Sequence, residues 1–302
     1  MTHHHEEAPN KYEQAFAKFH TNLPDEDVHL AVTQLIHDNR DKYDNEETLK
    51  YLLSTVELTT LTVTDSDESV LAMVERVNRF YEEHEELPAL ATICVYPRFA
   101  KIVSDSLEVE GTRVACVSGG FPASQTFMEI KVAETAMALK DGADEIDMVL
   151  SVGAFQSGDY ETCADEIAEL KAVCGDKPLK VILETGALKK AEDIMKASII
   201  SMYAGADFIK TSTGKIDVAA TPEAVYVMCR AIKEYQAETK EWCGLKVAGG
   251  IKTPDEAVDF YTIIREMLGQ EFIDNGGLRI GTSSLANKLV AKILDEEGKK
   301  YF

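Results

Sequence analysis

From residue 56 onward the chain alternates between two periodicities. Short runs rich in β-branched and other apolar residues fall at Val56–Leu61, Thr92–Tyr96, Arg113–Val117, Glu145–Leu150, Leu179–Leu183, Asp207–Lys210, Leu245–Ala248 and Leu278–Ile280. Most are near-continuous apolar stretches, as strands buried on both faces are. Between them apolar residues recur every three to four positions, the spacing of a helix. Examples are Phe127, Ile130, Ala133 and Met137, then Val225, Met228, Ile232 and Tyr235, then Val258, Tyr261, Ile264 and Met267. Gly142 and Gly205 each precede Ala-Asp, where a glycine just past a helix supplies the left-handed cap of a short loop into a strand. Thr221-Pro222 and Thr253-Pro254 read as helix starts, threonine capping and proline at the first helical position. Thr253 with Glu256 forms a capping box. Strands and helices alternating over about 240 residues predict a (β/α)8 TIM barrel. A doubly wound sheet is the runner-up, and it lacks the expected G-x-G-x-x-G after the first strand.

Residues 1–50 differ from the rest. They are polar and acidic, with sparse apolar residues at helical spacing: Tyr12, Phe16 and Phe19, then Val28, Leu30, Val32, Leu35 and Ile36. They predict an N-terminal helical extension, with Pro24-Asp25-Glu26 as a helix start. Residues 51–302 then form the barrel and a C-terminal tail. The expectation is that the extension packs on the barrel or at a subunit interface.

Composition narrows the partners. The 302 residues are 45 % hydrophobic and 28 % charged, ordinary for a globular protein. Against 31 Lys+Arg stand 53 Asp+Glu, a net charge of −22 that repels nucleic acid and anionic membranes. An acidic chain that handles a phosphate needs a local basic pocket. Six scattered cysteines without a C-x-x-C pair read as free thiols in a reducing compartment. The N-terminus has no apolar signal segment and no apolar run spans a bilayer, so the expected location is the cytoplasm. His3, His4 and His5 read as a flexible tail or part of a tag. Oligomeric state stays open, with a homodimer as the candidate assembly.

In a barrel of this kind the chemistry sits at the C-terminal ends of the strands. Lys210 in "DFIKTS" and Lys246 in "GLKVAGG" interrupt otherwise apolar strands, and lysine is rarely buried unpaired. If both enter the barrel mouth, each disfavours the other's charge and one amine is pushed toward the neutral form that attacks a carbonyl. Asp147 and Glu145 alternate along the fourth strand, and either could be the inward acid. Gly249-Gly250 and Gly281-Thr282-Ser283-Ser284 end the last two strands, where backbone amides and helix N-termini hold phosphate in many such barrels. Lys215 and Lys252 would supply charge there. Two lysines, an acid and a phosphate pocket suggest imine chemistry on a phosphorylated sugar.

At these residues the sequence resembles the deoxyribose-phosphate aldolases, which are class I, metal-independent enzymes. The matching motifs are "ELTTL" (57–61), "CVYPRF" (94–99), "GADEIDMV" (142–149), "LKVILETG" (179–186), "GADFIKTSTGK" (205–215), "GLKVAGGIKT" (244–253) and "GTSSL" (281–285). The resemblance implies a (β/α)8 barrel that reversibly cleaves 2-deoxy-D-ribose 5-phosphate to glyceraldehyde 3-phosphate and acetaldehyde, with no cofactor and no metal. It makes Lys210 the imine-forming lysine, Lys246 the residue that perturbs its pKa, and Asp147 a partner of Lys246 in a proton relay. It places Gly214, Lys215, Gly249, Gly250, Gly281, Ser283 and Ser284 around the phosphate, with Thr59, Thr213 and Lys252 among the binding residues and Cys94 near the pocket. Three departures stand out. Glu57 replaces the usual Asp, Lys252 replaces an Arg of better-known bacterial members, and Tyr301 stands one place before the end, where the family's terminal tail tyrosine helps protonate the enamine; the alternatives are Tyr301 in that part and a frayed tail. Another imine-forming aldolase or transaldolase, or a non-catalytic sugar-phosphate-binding barrel, are the competing readings.

Overall fold

The computed structural model describes residues 11–296 and 298–302; His3, His4 and His5 lie outside the described residues. Three helices come first: α1 (Lys11–Phe16), α2 (Asp25–Asn39) and α3 (Glu46–Ser54). Eight parallel strands follow, each paired with the next and the last paired back to the first in a closed barrel. They are β1 (Val56–Thr59), β2 (Thr92–Val95), β3 (Arg113–Ser118), β4 (Glu145–Val149), β5 (Leu179–Ile182), β6 (Phe208–Lys210), β7 (Gly244–Ala248) and β8 (Leu278–Thr282). The outer layer comprises α4 (Asp67–Glu83), α5 (Ala100–Ser106), α6 (Met128–Lys140), α7 (Val152–Gln156), α8 (Tyr160–Cys174), α9 (Thr185–Leu188), α10 (Ala191–Tyr203), α11 (Pro222–Thr239), α12 (Pro254–Asp274) and α13 (Leu285–Leu294). The predicted (β/α)8 TIM barrel is therefore the observed fold.

The strands are buried on both faces, but the two faces differ in chemistry. Val56, Leu58, Ile146, Met148, Leu179, Val181, Ile209, Leu245, Val247, Leu278 and Ile280 join the main core between barrel wall and helices. The alternate positions hold Glu57, Glu145, Asp147, Lys180, Lys210, Lys246 and Arg279, which meet one another inside the barrel. Among the described residues, a small apolar cluster of Leu61, Cys94, Ala115 and Val117 lies apart from the main core. The near-continuous apolar reading of the strands thus needs correction: their inward face is largely ionic.

Local chemistry fixes the helix ends. Thr221 and Thr253 accept from the amides three residues on, at 3.1 and 3.2 Å, with Pro222 and Pro254 at the first helical position. The Thr253–Glu256 capping box is complete. Val225, Met228 and Ile232 of α11 and Val258, Tyr261 and Ile264 of α12 face the core. Helix α6 forms as its repeat predicts, yet Phe127, Ile130 and Met137 face solvent, while Lys131, Thr135 and Ala138 face inward.

The N-terminal helices pack on the barrel's outer layer, α2 against α11 and α12, and α3 against α12 and α13. Val28 and Val32 bury the inner stripe of α2, whereas Leu30 remains exposed. Asp25 accepts the Ala191 amide at 2.8 Å, so the extension caps the start of α10. Helix α3 spans residue 50, where the sequence was divided, and runs directly into β1. All six cysteines are free and buried.

Candidate active site

A cleft of about 330 Å³ opens at the C-terminal ends of β1, β6, β7 and β8. Lys210 forms its floor, and Thr59, Thr213, Gly214, Lys215 and Lys252 stand on its walls. Gly249, Gly250, Gly281, Ser283 and Ser284 complete the side formed by β7 and β8. Eleven of the expected residues therefore converge on one cleft.

Beneath the floor lies a dry ionic cluster. Lys210 and Lys246 are register partners on β6 and β7. Both ammonium groups donate to the same oxygen of Asp147, Oδ2, at 2.8 and 2.6 Å. Lys246 also donates to Glu57, and Cys94 is buried beside these charges. Asp147, not Glu145, is the acid that reaches the two lysines. Glu145 sits deeper, 2.6 Å from Lys180 and 2.7 Å from Arg113.

The sequence reading passed over Lys180. Its ammonium donates to Asp147 Oδ1 at 2.9 Å and lies 3.4 Å from Glu57. Asp147 thus carries Lys180 on one oxygen and the Lys210–Lys246 pair on the other. The available signal was the same as for its neighbours, a lysine inside an apolar strand ("LKVI"), on the strand just before Lys210. Arg279, 3.8 Å from Glu57, is a further inward cation that was not singled out. Glu184, at the C-terminal end of the fifth strand in the sequence, was given no role. Its backbone is left-handed, with φ 56°, and its carboxylate accepts the Thr213 amide at 3.1 Å and the Thr213 hydroxyl at 2.5 Å. Strained non-glycine residues of this kind often brace functional loops.

The cluster splits the two lysines. Burial lowers the Lys210 pKa; Asp147 opposes that, and the Lys246 charge adds to the lowering, so the net shift is downward. Burial also disfavours charge on Lys246, but Asp147 and Glu57 outweigh it and hold that amine protonated. Burial alone would push the Asp147 carboxyl up, yet Lys180, Lys210 and Lys246 hold it well below the carboxylate range. Neighbouring groups pushed apart in pKa are how one site presents an acid and a nucleophile at one pH. Burial raises the Cys94 thiol, so it stays protonated. Glu57, Cys94 and Asp147 place their ligand atoms within 4.8 Å of one another. Both carboxylates are already matched by ammonium groups, so this donor set fits lysine pairing.

The rim is built differently, from backbone and exposed side chains. Gly214, Gly249 and Gly250 have φ of 75°, 83° and 85°, in the left-handed region open to glycine. A Cβ on Gly249 would also lie 2.7 Å from that of Ala219. Gly281 has a different reason: a Cβ there would come within 3.0 Å of Lys246 Cε. It leaves room for the lysine, in addition to lining the cleft. Lys215 donates to the Leu61 carbonyl across the mouth. Thr282 Oγ1 accepts the Ser284 and Leu285 amides at 3.2 and 3.1 Å and sets the turn into α13. Lys252 is exposed, its amide held by Glu256 at 2.6 Å.

Tyr301 is not brought to this cleft. Its ring packs 5.4 Å from Phe80 of α4, and its hydroxyl donates to Glu296 at 2.6 Å. Asn287 Oδ1 accepts both the Tyr301 and Phe302 amides, at 2.6 and 2.9 Å, which fastens the tail to α13. The burial available to two terminal aromatics holds them against α4, away from the cleft where a tail proton donor would stand.

A buried lysine with a lowered pKa at the floor of a cleft in a (β/α)8 barrel can attack a carbonyl. A model of the DeoC/LacD family aldolases matches residues 54–287, and the chain belongs to that family. It is 38 % identical over 243 residues, 80 % of each chain, to a Caenorhabditis elegans protein provisionally assigned as a deoxyribose-phosphate aldolase. Among solved structures it resembles a Toxoplasma gondii protein with the same provisional assignment, with TM-score 0.72 and 28 % identity over 83 % of this chain and 94 % of that one. It also resembles the Aeropyrum pernix deoxyribose phosphate aldolase, described as a unique tetramer, with TM-score 0.63 and 25 % identity over 86 % and 96 % of the two chains. The protein is thus an aldolase, a lyase. Among the described residues, no helix is long and apolar enough to cross a membrane.

Proposed function

We propose that the protein reversibly cleaves 2-deoxy-D-ribose 5-phosphate to D-glyceraldehyde 3-phosphate and acetaldehyde through an imine on Lys210. The observation that carries this reading is Lys210 itself. It is buried at the cleft floor with a lowered pKa and shares one Asp147 oxygen with a protonated Lys246. The neutral amine adds to the sugar aldehyde and loses water to give a protonated imine. The C3 hydroxyl gives up its proton, the C2–C3 bond breaks, and its electron pair flows into the iminium. Glyceraldehyde 3-phosphate leaves. The enamine left on Lys210 takes a proton at carbon, and water releases acetaldehyde. Asp147 and Lys246 relay protons, and the chemistry runs on the chain's own side chains. Proton transfers of this kind contribute about 10²–10⁴-fold.

The phosphate is assigned to Gly214, Gly249, Gly250, Ser283 and Ser284, with Lys215 and Lys252 supplying charge. Thr59 and Thr213, which line the cleft, are assigned to the sugar. Glu57 is engaged by Lys246 and Lys180, so its part is to set the charge of Lys246 rather than to grip a hydroxyl. Deoxyribonucleotide breakdown in the cytoplasm is the setting this substrate implies.

Borohydride reduction in the presence of acetaldehyde or deoxyribose 5-phosphate tests the reading by intact mass and peptide mapping. One reduced adduct on Lys210, absent from Lys210→Leu, is expected. Folded protein that forms no adduct would remove the aldolase mechanism and favour a sugar-phosphate-binding barrel. An adduct formed with other donors but not with acetaldehyde would reassign the substrate.

A further inference from the structure

Charge inside the barrel does not balance. Three carboxylates meet there, Glu57, Glu145 and Asp147. Five basic side chains face them, Arg113, Lys180, Lys210, Lys246 and Arg279. The Cys94 thiol, raised by burial, adds no charge. A surplus of cations out of water is unfavourable, and it is relieved where one of them gives up its proton. The arginines keep theirs at any working pH. Lys180 and Lys246 keep theirs because Asp147 and Glu57 both hold them. Lys210 is the group that yields. Its ion pair is with Asp147, it shares that oxygen with Lys246, and it is the member of the cluster that lines the open cleft. Arg113 belongs to the surplus from the far end. It is the first residue of β3, on the face of the barrel opposite the cleft, and its side chain is 44 % exposed. Its guanidinium turns inward to Glu145 Oε1 at 2.7 Å, while Lys180 holds Oε2 at 2.6 Å. Lys180 in turn donates to Asp147 at 2.9 Å, and Asp147 accepts from Lys210 at 2.8 Å. A continuous ladder of ion pairs therefore joins Arg113 to Lys210.

We infer that Arg113 is a positioning residue for Lys210, acting from the opposite face of the barrel through Glu145 and Lys180 to favour the neutral amine. The inference rests on Lys210 being the imine-forming lysine. Two effects of Arg113 have the same sign. Its charge adds to the surplus that Lys210 relieves. By occupying Glu145 it also leaves Lys180 to serve Asp147, which weakens the hold of Asp147 on Lys210. Without Arg113, Glu145 would draw Lys180 toward itself, and Asp147 would turn its charge to Lys210 and Lys246. Arg279 does not replace it: its nearest nitrogen is 3.9 Å from the same Glu145 oxygen, and the guanidinium is tied to the Gly276 and Leu278 carbonyls at 3.0 and 3.2 Å. At the same end Asp144 accepts the Val114 amide at 3.0 Å and faces Lys177 at 3.9 Å, so that carboxylate has its own partners. A guanidinium that did no more than neutralise a buried acid would support stability and leave the titration of Lys210 where it is.

The pH profile of borohydride-trapped acetaldehyde on Lys210 tests this, read by intact mass on the full chain with circular dichroism as the check on folding. Arg113→Met is expected to move the rise of the profile up by about half to one pH unit, smaller than the ~1–3 units produced by a charge in direct contact. Glu145→Gln removes an anion instead and is expected to move it down. Arg113→Lys keeps the charge and should stay near the wild type. Arg113→Met combined with Glu145→Gln removes the pair together and should return close to the wild type, so the two shifts cancel. Profiles of Arg113→Met and Glu145→Gln that coincide with the wild type would overturn the inference. So would shifts of the two single variants in the same direction, which is the mark of a loosened barrel. If Arg113→Met melts too low to assay, the downward shift of Glu145→Gln and its cancellation in the double variant still decide the matter. Folded wild type that forms no adduct on Lys210 would sink the imine reading, and this inference with it.

Discussion

The floor and the rim of the cleft handle charge in opposite ways. At the floor Asp147, Glu57, Lys180 and Lys246 are excluded from water and paired with one another and with Lys210, Glu145 and Arg279. At the rim Lys252, Ser283 and Ser284 face solvent, and glycine backbone supplies much of the surface. Buried ions are costly unless paired, so removing one partner strands another. Exposed ions are screened and individually weak. The floor is therefore a cooperative unit that sets protonation states, while the rim is a set of separable contacts that position a ligand.

Lys180→Met is the severest way to break this contrast short of removing the nucleophile. It strips Asp147 Oδ1 and Glu145 of their shared cation, and a stranded buried carboxylate costs about 3–5 kcal/mol. Urea unfolding at neutral pH should show that loss, and a change below about 1 kcal/mol would mean that the cluster is solvated after all. The wild type carries a related pH signature. Asp147 has its folded pKa lowered, so its stabilisation is present above the unfolded value near ~3.9 and is lost as pH falls through the folded one.

Lys246→Met acts next most strongly and reads out the tuning itself. Without the Lys246 charge one cause of the lowered Lys210 pKa disappears, so the rise of imine trapping with pH should move to higher pH. Turnover should fall about 10²–10⁴-fold. An unmoved profile would assign the tuning of Lys210 to burial alone.

The contrast also explains how much could be read in advance. The barrel was legible because short apolar strand runs, helical repeats and Thr-Pro caps are local signals, and Thr253 with Glu256 forms the capping box its spacing implied. Lys210, Lys246 and Asp147 were legible because charge inside an apolar strand is costly unless it is used or paired. Lys180 carried the same signal, but its value depends on four strands converging on one carboxylate, which is a property of the closed barrel. The α6 repeat gave its helix but not the side that is buried. Its spacing matches that of α11 and α12, whose repeats are buried, and periodicity specifies a helix without saying which side of it meets the core. The place of Tyr301 was not legible, because a short aromatic tail is positioned by apolar surface distant in sequence, here Phe80.

At the rim, Gly249→Ala sharpens the comparison from the other side. An alanine at φ 83° is strained, and its methyl would crowd Ala219. Left-handed strain of this kind costs about 1–2 kcal/mol, equivalent to roughly a five- to thirtyfold change. It should appear as a higher KM for the phosphorylated sugar, with kcat nearly kept. A matching loss with unphosphorylated deoxyribose would show that the loop shapes the whole cleft and not the anion site.

Lys252→Ala should give the smallest effect, and its form matters more than its size. Lys252 is exposed and its amide, not its ammonium, is what Glu256 holds. A solvent-facing lysine offers a phosphate one flexible point charge, worth about 0.2–1 kcal/mol, or a KM change of up to about fivefold. Its share in offsetting the net charge of −22 acts through solvent, where the Debye length falls from ~10 Å at 0.1 M salt to ~3 Å at 1 M. The KM difference between variant and wild type should therefore shrink as salt is added. Lys246→Met should lose as much at high salt as at low, because its partners are buried. If Lys252→Ala instead lowers kcat, or keeps its full KM effect at ~1 M salt, Lys252 closes onto the substrate during turnover and the rim is not the passive, screened surface that its exposure describes.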